Sequence, residues 1–92
     1  MLGILEEALR DILPRAKEYA VKSPELERRL GVSGAYIRRA VNSLRSNGVP
    51  VCSDSNGYWI SVDPVEIRAT ITQLNSRAAS ILAATSGLER WI

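Results

Sequence analysis

Histidine is absent from the 92 residues, and cysteine occurs once, at Cys52. A single cysteine closes no intramolecular disulfide, and without an imidazole it cannot complete a zinc site, so a reducing cytoplasm is the natural setting. The lack of histidine also removes the commonest general base. The Asp and Glu residues fall at expected helix caps and solvent faces, with no acid/base pair among them, so the chain does not read as an enzyme and no cofactor or metal site is legible. No apolar run approaches the roughly 18 residues of a membrane span, and no basic segment precedes an apolar one at the start, which argues against export or membrane insertion. The length suits one domain, and a chain of this size buries roughly 60–65% of its unfolded surface.

A second absence is local. From Arg28 to Ser53 there is no Asp or Glu, while five arginines stand there: Arg28, Arg29, Arg38, Arg39 and Arg45. That window carries +5 in a chain of net charge +2, leaving −3 for the remainder. Such segregation is an electrostatic footprint for phosphate. The alternative is a solvated face whose arginines pair with acids elsewhere in the chain.

Within this window lies the stretch around which the chain is organised, Ser33 to Gly48. Ile37, Val41 and Leu44 recur at helical spacing and form a core-facing stripe. Arg38, Arg39, Asn42 and Ser43 lie off it. Ser33 is placed to cap the helix, and Asn47-Gly48 to stop it. A helix with one buried face and a face of arginines and asparagine suits a polyanion, and its expected role is recognition of DNA.

The flanking segments supply its frame. Leu2 to Leu13 reads as an amphipathic helix with Leu2, Leu5, Leu9, Ile12 and Leu13 inward, ended or kinked by Pro14. Residues 14–22 read as loop plus a short strand near Tyr19–Val21. Ser23-Pro24 opens a second helix as cap and first helical residue, with Leu26, Leu30 and Val32 inward and Gly31 turning the chain. After Gly48 the period changes: Val49 and Val51 alternate with Pro50 and Cys52, Ser53 to Gly57 forms a polar turn containing Asn-Gly, and Tyr58-Trp59-Ile60 returns. Trp59 is out of phase with its neighbours, so both sides of that strand need cover. The expected cover is a C-terminal helix, ahead of a role for Trp59 as a ligand platform. Asp63 as cap, Pro64 as first residue, Glu66 as capping-box partner and Val62 stapled to Ile67 open that helix, which is expected to reach Thr85 with Gly87 just beyond. The fold class is therefore mainly α with a small β-hairpin, divided into a helix-turn-helix unit with its wing (1–62) and a long C-terminal helix (63–92).

The run LERRLGVSGAYIRRAVNSLRSNGVPVCSDSNGYWIS resembles the winged helix-turn-helix domain of the bifunctional biotin ligase/repressors. The shared features are Leu-Gly-Val-Ser before the central helix, Leu44-Arg45 near its end, Gly48 before the wing and Gly57-Tyr58 in the returning strand. With the long final helix the chain also looks like small winged-helix proteins of bacteriophage and prophage origin. The resemblance covers about residues 20–62 and implies that Gly34, Ala35, Tyr36, Arg38, Arg39, Asn42 and Ser43 enter a major groove. Two departures stand out: Gly34 occupies a position where a groove-reading arginine is common, and the wing tip carries Asp54 with no Lys or Arg. The ligase domain is absent, so no biotin chemistry is implied.

Residue types then assign roles. Arg38 and Arg39 can donate bidentately to guanine, Asn42 can read adenine, and Ala35, Tyr36 and Ser43 complete the base-reading set. Tyr36 could equally cover the helix-turn-helix core. Arg28, Arg29, Ser33 and Arg45 are expected to grip phosphates, with pairing to Glu18 or Glu25 the alternative for Arg45. In the last helix Ile67, Ile71, Leu74, Ala78, Ile81, Thr85 and Leu88 form a heptad seam, read either as a homodimer interface or as a stripe packed on the first helix. The expected function is sequence-specific binding of double-stranded DNA by a small transcriptional regulator or phage accessory protein. The alternative is a winged-helix protein-interaction module that does not bind DNA.

Overall fold

The chain runs through α1 (Ile4–Ile12), a 3-10 turn (Lys17–Tyr19), α2 (Ser23–Leu30), α3 (Gly34–Ser46), β1 (Val51–Asp54), β2 (Gly57–Ile60) and α4 (Pro64–Glu89) in a computed structural model that describes residues 2–92. The core is built where the first three helices meet the hairpin. Leu9 and Leu13, Leu26, then Ile37, Ala40, Val41 and Leu44 of α3 close over Val51 and Ile60. The stripe expected on the central helix is thus its buried face, and each such side chain contributes about 1.5–3 kcal/mol of burial.

The hairpin is antiparallel, pairing Val51 with Ile60, Cys52 with Trp59, Ser53 with Tyr58 and Asp54 with Gly57. Alternation along a strand sends paired residues to the same face. Val51 and Ile60 therefore join the helical core, while Cys52 and Trp59 point to the opposite side, where α4 lies across β1. This is the cover Trp59 requires, and it leaves the indole buried. The strand extends further than the polar composition suggested: Ser53 and Asp54 belong to β1, and the turn is Ser55-Asn56, tightened by the Asn56 N–H donating to Asp54 Oδ1 at 2.8 Å. The short strand expected near Val21 is a single bridge, Val21 to Tyr58, preceded by the 3-10 turn.

Several local expectations are corrected. Helix α2 begins at Ser23 with Lys22 in the cap position, and the Ser23 hydroxyl donates to Glu27 Oε2 at 3.0 Å. Ser33 occupies the cap position of α3 but makes no side-chain cap bond. Asp63 does cap α4, accepting from the Val65 N–H at 2.9 Å. Val62, however, is 90% exposed and staples nothing. Glu66 closes no capping box, because its carboxylate is taken by Ser61 Oγ (2.7 Å) and Trp59 Nε1 (2.8 Å). Helix α4 continues through Gly87 to Glu89; a glycine inside a helix costs about 1 kcal/mol and does not by itself end it.

Glu66 thereby pins α4 to the wing, assisted by the Ser53 N–H donating to Thr70 Oγ1. The two hydrogen bonds, Ser61 first and then Trp59, hold its carboxyl below the ordinary carboxylate range. A depressed carboxylate stabilises the fold above its unfolded pKa, and that contribution drains away as pH falls through the folded value. We expect Glu66→Gln to be less stable than the native chain near neutrality and to show a flatter acid branch of Tm against pH. Parallel acid branches would remove Glu66 from the docking of α4.

Candidate nucleic-acid interface

The α2–α3 connection is the three residues Gly31, Val32 and Ser33. Gly31 takes φ 67°, a left-handed conformation that ends α2, and its N–H and that of Val32 both donate to the Glu27 carbonyl. The reversal is tight enough to lay α3 across α2 while their apolar faces share one core.

On α3 the outward arc consists of Ala35, Arg38, Arg39, Asn42 and Ser46, all exposed. Neither Arg38 nor Arg39 is in an ion pair within 4.0 Å among the described residues. Four of the six expected base-reading residues therefore share this face. Tyr36 sits at its margin, 54% exposed, with the Arg39 guanidinium 5.3 Å above its ring, which props that arginine against the helix. Ser43 is turned aside: it is half-buried and its Oγ donates to Glu6 Oε2 of α1 at 3.3 Å. Ser46 takes the outward place instead. Its spacing of four from Asn42 and seven from Arg39 was a sufficient signal, masked by its nearness to the helix stop. Gly34 also has a visible use, since a Cβ there would come within 3.3 Å of both Arg38 Nη1 and Glu27 Oε2. Its bareness admits the Arg38 guanidinium beside the N-terminus of α3.

The expected phosphate-gripping residues divide. Arg29 is exposed near the end of α2, and Ser33 is exposed at the cap position of α3. Arg28 is exposed and paired with Glu25 one turn back. Arg45 is engaged elsewhere: it is half-buried, with Nε donating to the Val51 carbonyl at 2.8 Å and Nη2 to Ser53 Oγ at 3.1 Å. Neither Glu18 nor Glu25 is its partner; the side chain bolts α3 to β1. Burial lowers its pKa from the ordinary arginine value, opposed by Tyr58 and Cys52. Arg45→Met is expected to cost about 1–2 kcal/mol of stability and to leave the salt dependence of any DNA binding unaltered, which denaturant titration and a binding isotherm at several salt concentrations would check. At the wing, Asp54 lies 4.0 Å from Lys17 Nζ. Lys22, and Arg77 of α4, flank the polar groove between the wing, α2 and α4.

Helix α4 packs against β1 rather than α1. Of the seam, Ile67 and Leu74 are half-covered, whereas Ile71, Ala78, Ile81 and Leu88 are exposed. No helix among the described residues is long and apolar enough to cross a membrane, and no cluster there suits a metal ion.

Two helices joined by a glycine turn, the second with an open basic face, followed by a hairpin packed beside it, define a winged helix-turn-helix protein, a class whose second helix enters the DNA major groove. The chain belongs to the helix-turn-helix family: the family described as an HTH domain matches residues 6–59, from α1 to the second wing strand. Comparison with curated proteins and with solved structures finds no match.

Proposed function

We propose that this protein binds double-stranded DNA sequence-specifically as a homodimer, in the role of a small transcriptional regulator or phage accessory protein. The observation that carries the reading is the outward arc of α3, where Arg38, Arg39 and Asn42 stand together on the helix and, among the described residues, none is held in an ion pair, with the acid Glu27 lying beside Gly34 and Arg38. Arg38 and Arg39 donate to guanine O6/N7, and Asn42 to adenine N7 while accepting from N6. Ala35 and Ser46 are short enough to let the helix seat deeply. Arg28, Arg29 and Ser33 hold backbone phosphates and fix the docking angle. The test is selection of bound duplexes from a random pool at two salt concentrations. Recovery of a defined motif at the higher salt supports the reading, and recovery of no motif at either sinks it.

One observation favours the protein-interaction alternative. The wing tip is free of Lys and Arg, and its Asp54 lies beside Lys17, so the hairpin adds no positive charge toward a duplex. Failure of every duplex to bind at low salt would select that alternative.

A further inference from the structure

Helix α4 is far longer than its own domain uses. Thr70 is buried against the wing, yet from Asn75 onward the side chains are exposed, apart from half-buried Gly87, and Ile81, Leu82, Leu88 and Trp91 are all at least 60% exposed. Beside its first turns, an open and mainly apolar groove of about 380 Å³ runs between Pro50–Cys52 and the helix, floored by Thr70, Ile71 and Leu74. The seam and the groove are continuous, because Ile71 and Leu74 belong to both.

We propose that a second copy of this chain covers this surface with its own α4 running antiparallel, so that its Leu88 and Trp91 enter the groove. The inference deepens the homodimer reading above and rests on it. Three features choose the direction. Antiparallel layers set Ile71 against Leu88, Leu74 against Thr85 and Ala78 against Ile81, so every small residue meets a large one. A parallel in-register pair would stack Ala78 on Ala78 and Thr85 on Thr85, leaving two thin layers. The same antiparallel register brings Arg68 beside Glu89 of the other copy, twice by symmetry, and flanking charge pairs of this kind set orientation. In a parallel pair those residues lie at opposite ends of the bundle, roughly 32 Å apart at 1.5 Å per residue. Finally, Trp91, in the turn just beyond Glu89, comes level with Arg68, beside the Ile67 end of the groove.

The experiment uses the full chain without DNA, so its result is independent of whether the α3 face binds a duplex. Sedimentation should show a dimer at micromolar concentration. Arg68→Glu and Glu89→Arg should each weaken it by about tenfold, and the two combined should restore it. Both positions are exposed, so neither change threatens the fold. Spin labels on Glu89→Cys, with the native Cys52 thiol buried, should lie roughly 28 Å apart along the axis in the antiparallel pair and about 10 Å apart in a parallel one. A monomer at high micromolar concentration, absence of rescue by the double charge reversal, or labels in close proximity would each overturn the proposal. A duplex-binding monomer would refute the pairing alone, and a dimer that ignores DNA would refute the DNA reading alone.

Discussion

Gly57→Ala is expected to lower Tm by roughly 12–25 °C, a loss of about 3 kcal/mol or more for a domain of this size. Gly57 is buried at the start of β2 with φ 122°, a backbone conformation that L side chains rarely adopt. A Cβ at this position would stand 2.4 Å from the carbonyl carbon and oxygen of Val21 and 2.7 Å from the Lys22 nitrogen. These are backbone atoms, so no side-chain rotation relieves the overlap. They also belong to the bridge in which Val21 and Tyr58 exchange hydrogen bonds at 3.0 and 2.8 Å. Accommodating a methyl group therefore means opening the contact that holds the wing to the segment before α2. Gly48→Ala supplies the control. That residue also has positive φ, 83°, but nothing lies within 4 Å of its Cβ position, so only the conformational cost of about 1 kcal/mol applies. Thermal melts that ranked the two variants equally would disprove the close approach at Gly57. In the expected ranking, loss of DNA binding by Gly57→Ala would follow loss of the fold and would carry no information about base reading.

Duplex binding is expected to weaken roughly 40- to 500-fold per domain between 50 and 200 mM salt. This follows from about 3–5 phosphate contacts per domain and a slope of about −0.9 per contact, or about −2.7 to −4.5 for each domain engaged. The contributions should differ by position. Arg38→Ala or Arg39→Ala removes a donor on the outward arc and should cost about 1–3 kcal/mol against the preferred site while relaxing sequence preference. Arg29→Ala should weaken all sequences alike and shrink the salt slope by about one. Arg28→Ala should act in the same sense but less, since Arg28 leaves its ion pair with Glu25 in order to reach DNA. Affinity measured across salt for a selected and a scrambled duplex separates these effects. A flat salt response, or identical behaviour of the α2 and α3 variants, would overturn the division into gripping and reading residues.

Much of this arrangement is visible in residue order because it rests on local physics. The spacing of Ile37, Val41 and Leu44 identifies the buried face of α3, since a helix repeats every 3.6 residues whatever surrounds it. Asn56-Gly57 marks the hairpin, and Asp63-Pro64 the start of α4, because those residues favour the backbone angles and cap bonds their positions need. The basic window from Arg28 to Ser53 is likewise a property of order alone.

What each polar side chain does inside that frame depends on neighbours distant in sequence. Arg45 and Arg39 are indistinguishable by type and both lie in the basic window. One is drawn under the wing by the Val51 carbonyl and Ser53, and the other stands over Tyr36 in the open. Ser43 turns toward α1 because Glu6 is there to accept its hydroxyl, which hands the outward position to Ser46. Glu66 has capping-box spacing, but the indole of Trp59 reaches it first. The heptad seam follows the same rule: β1 covers Ile67 and Leu74 but ends before Ala78, so the docking of a strand sets where the exposed half of α4 begins. From α1 to α3 apolar periodicity determined which residues are inside, because three short helices and the hairpin close on one another, whereas along α4 a stripe of the same kind stays exposed wherever no element lies over it. Tertiary structure decided which arginines, serines and carboxylates are available, because a hydrogen bond needs one partner at one distance.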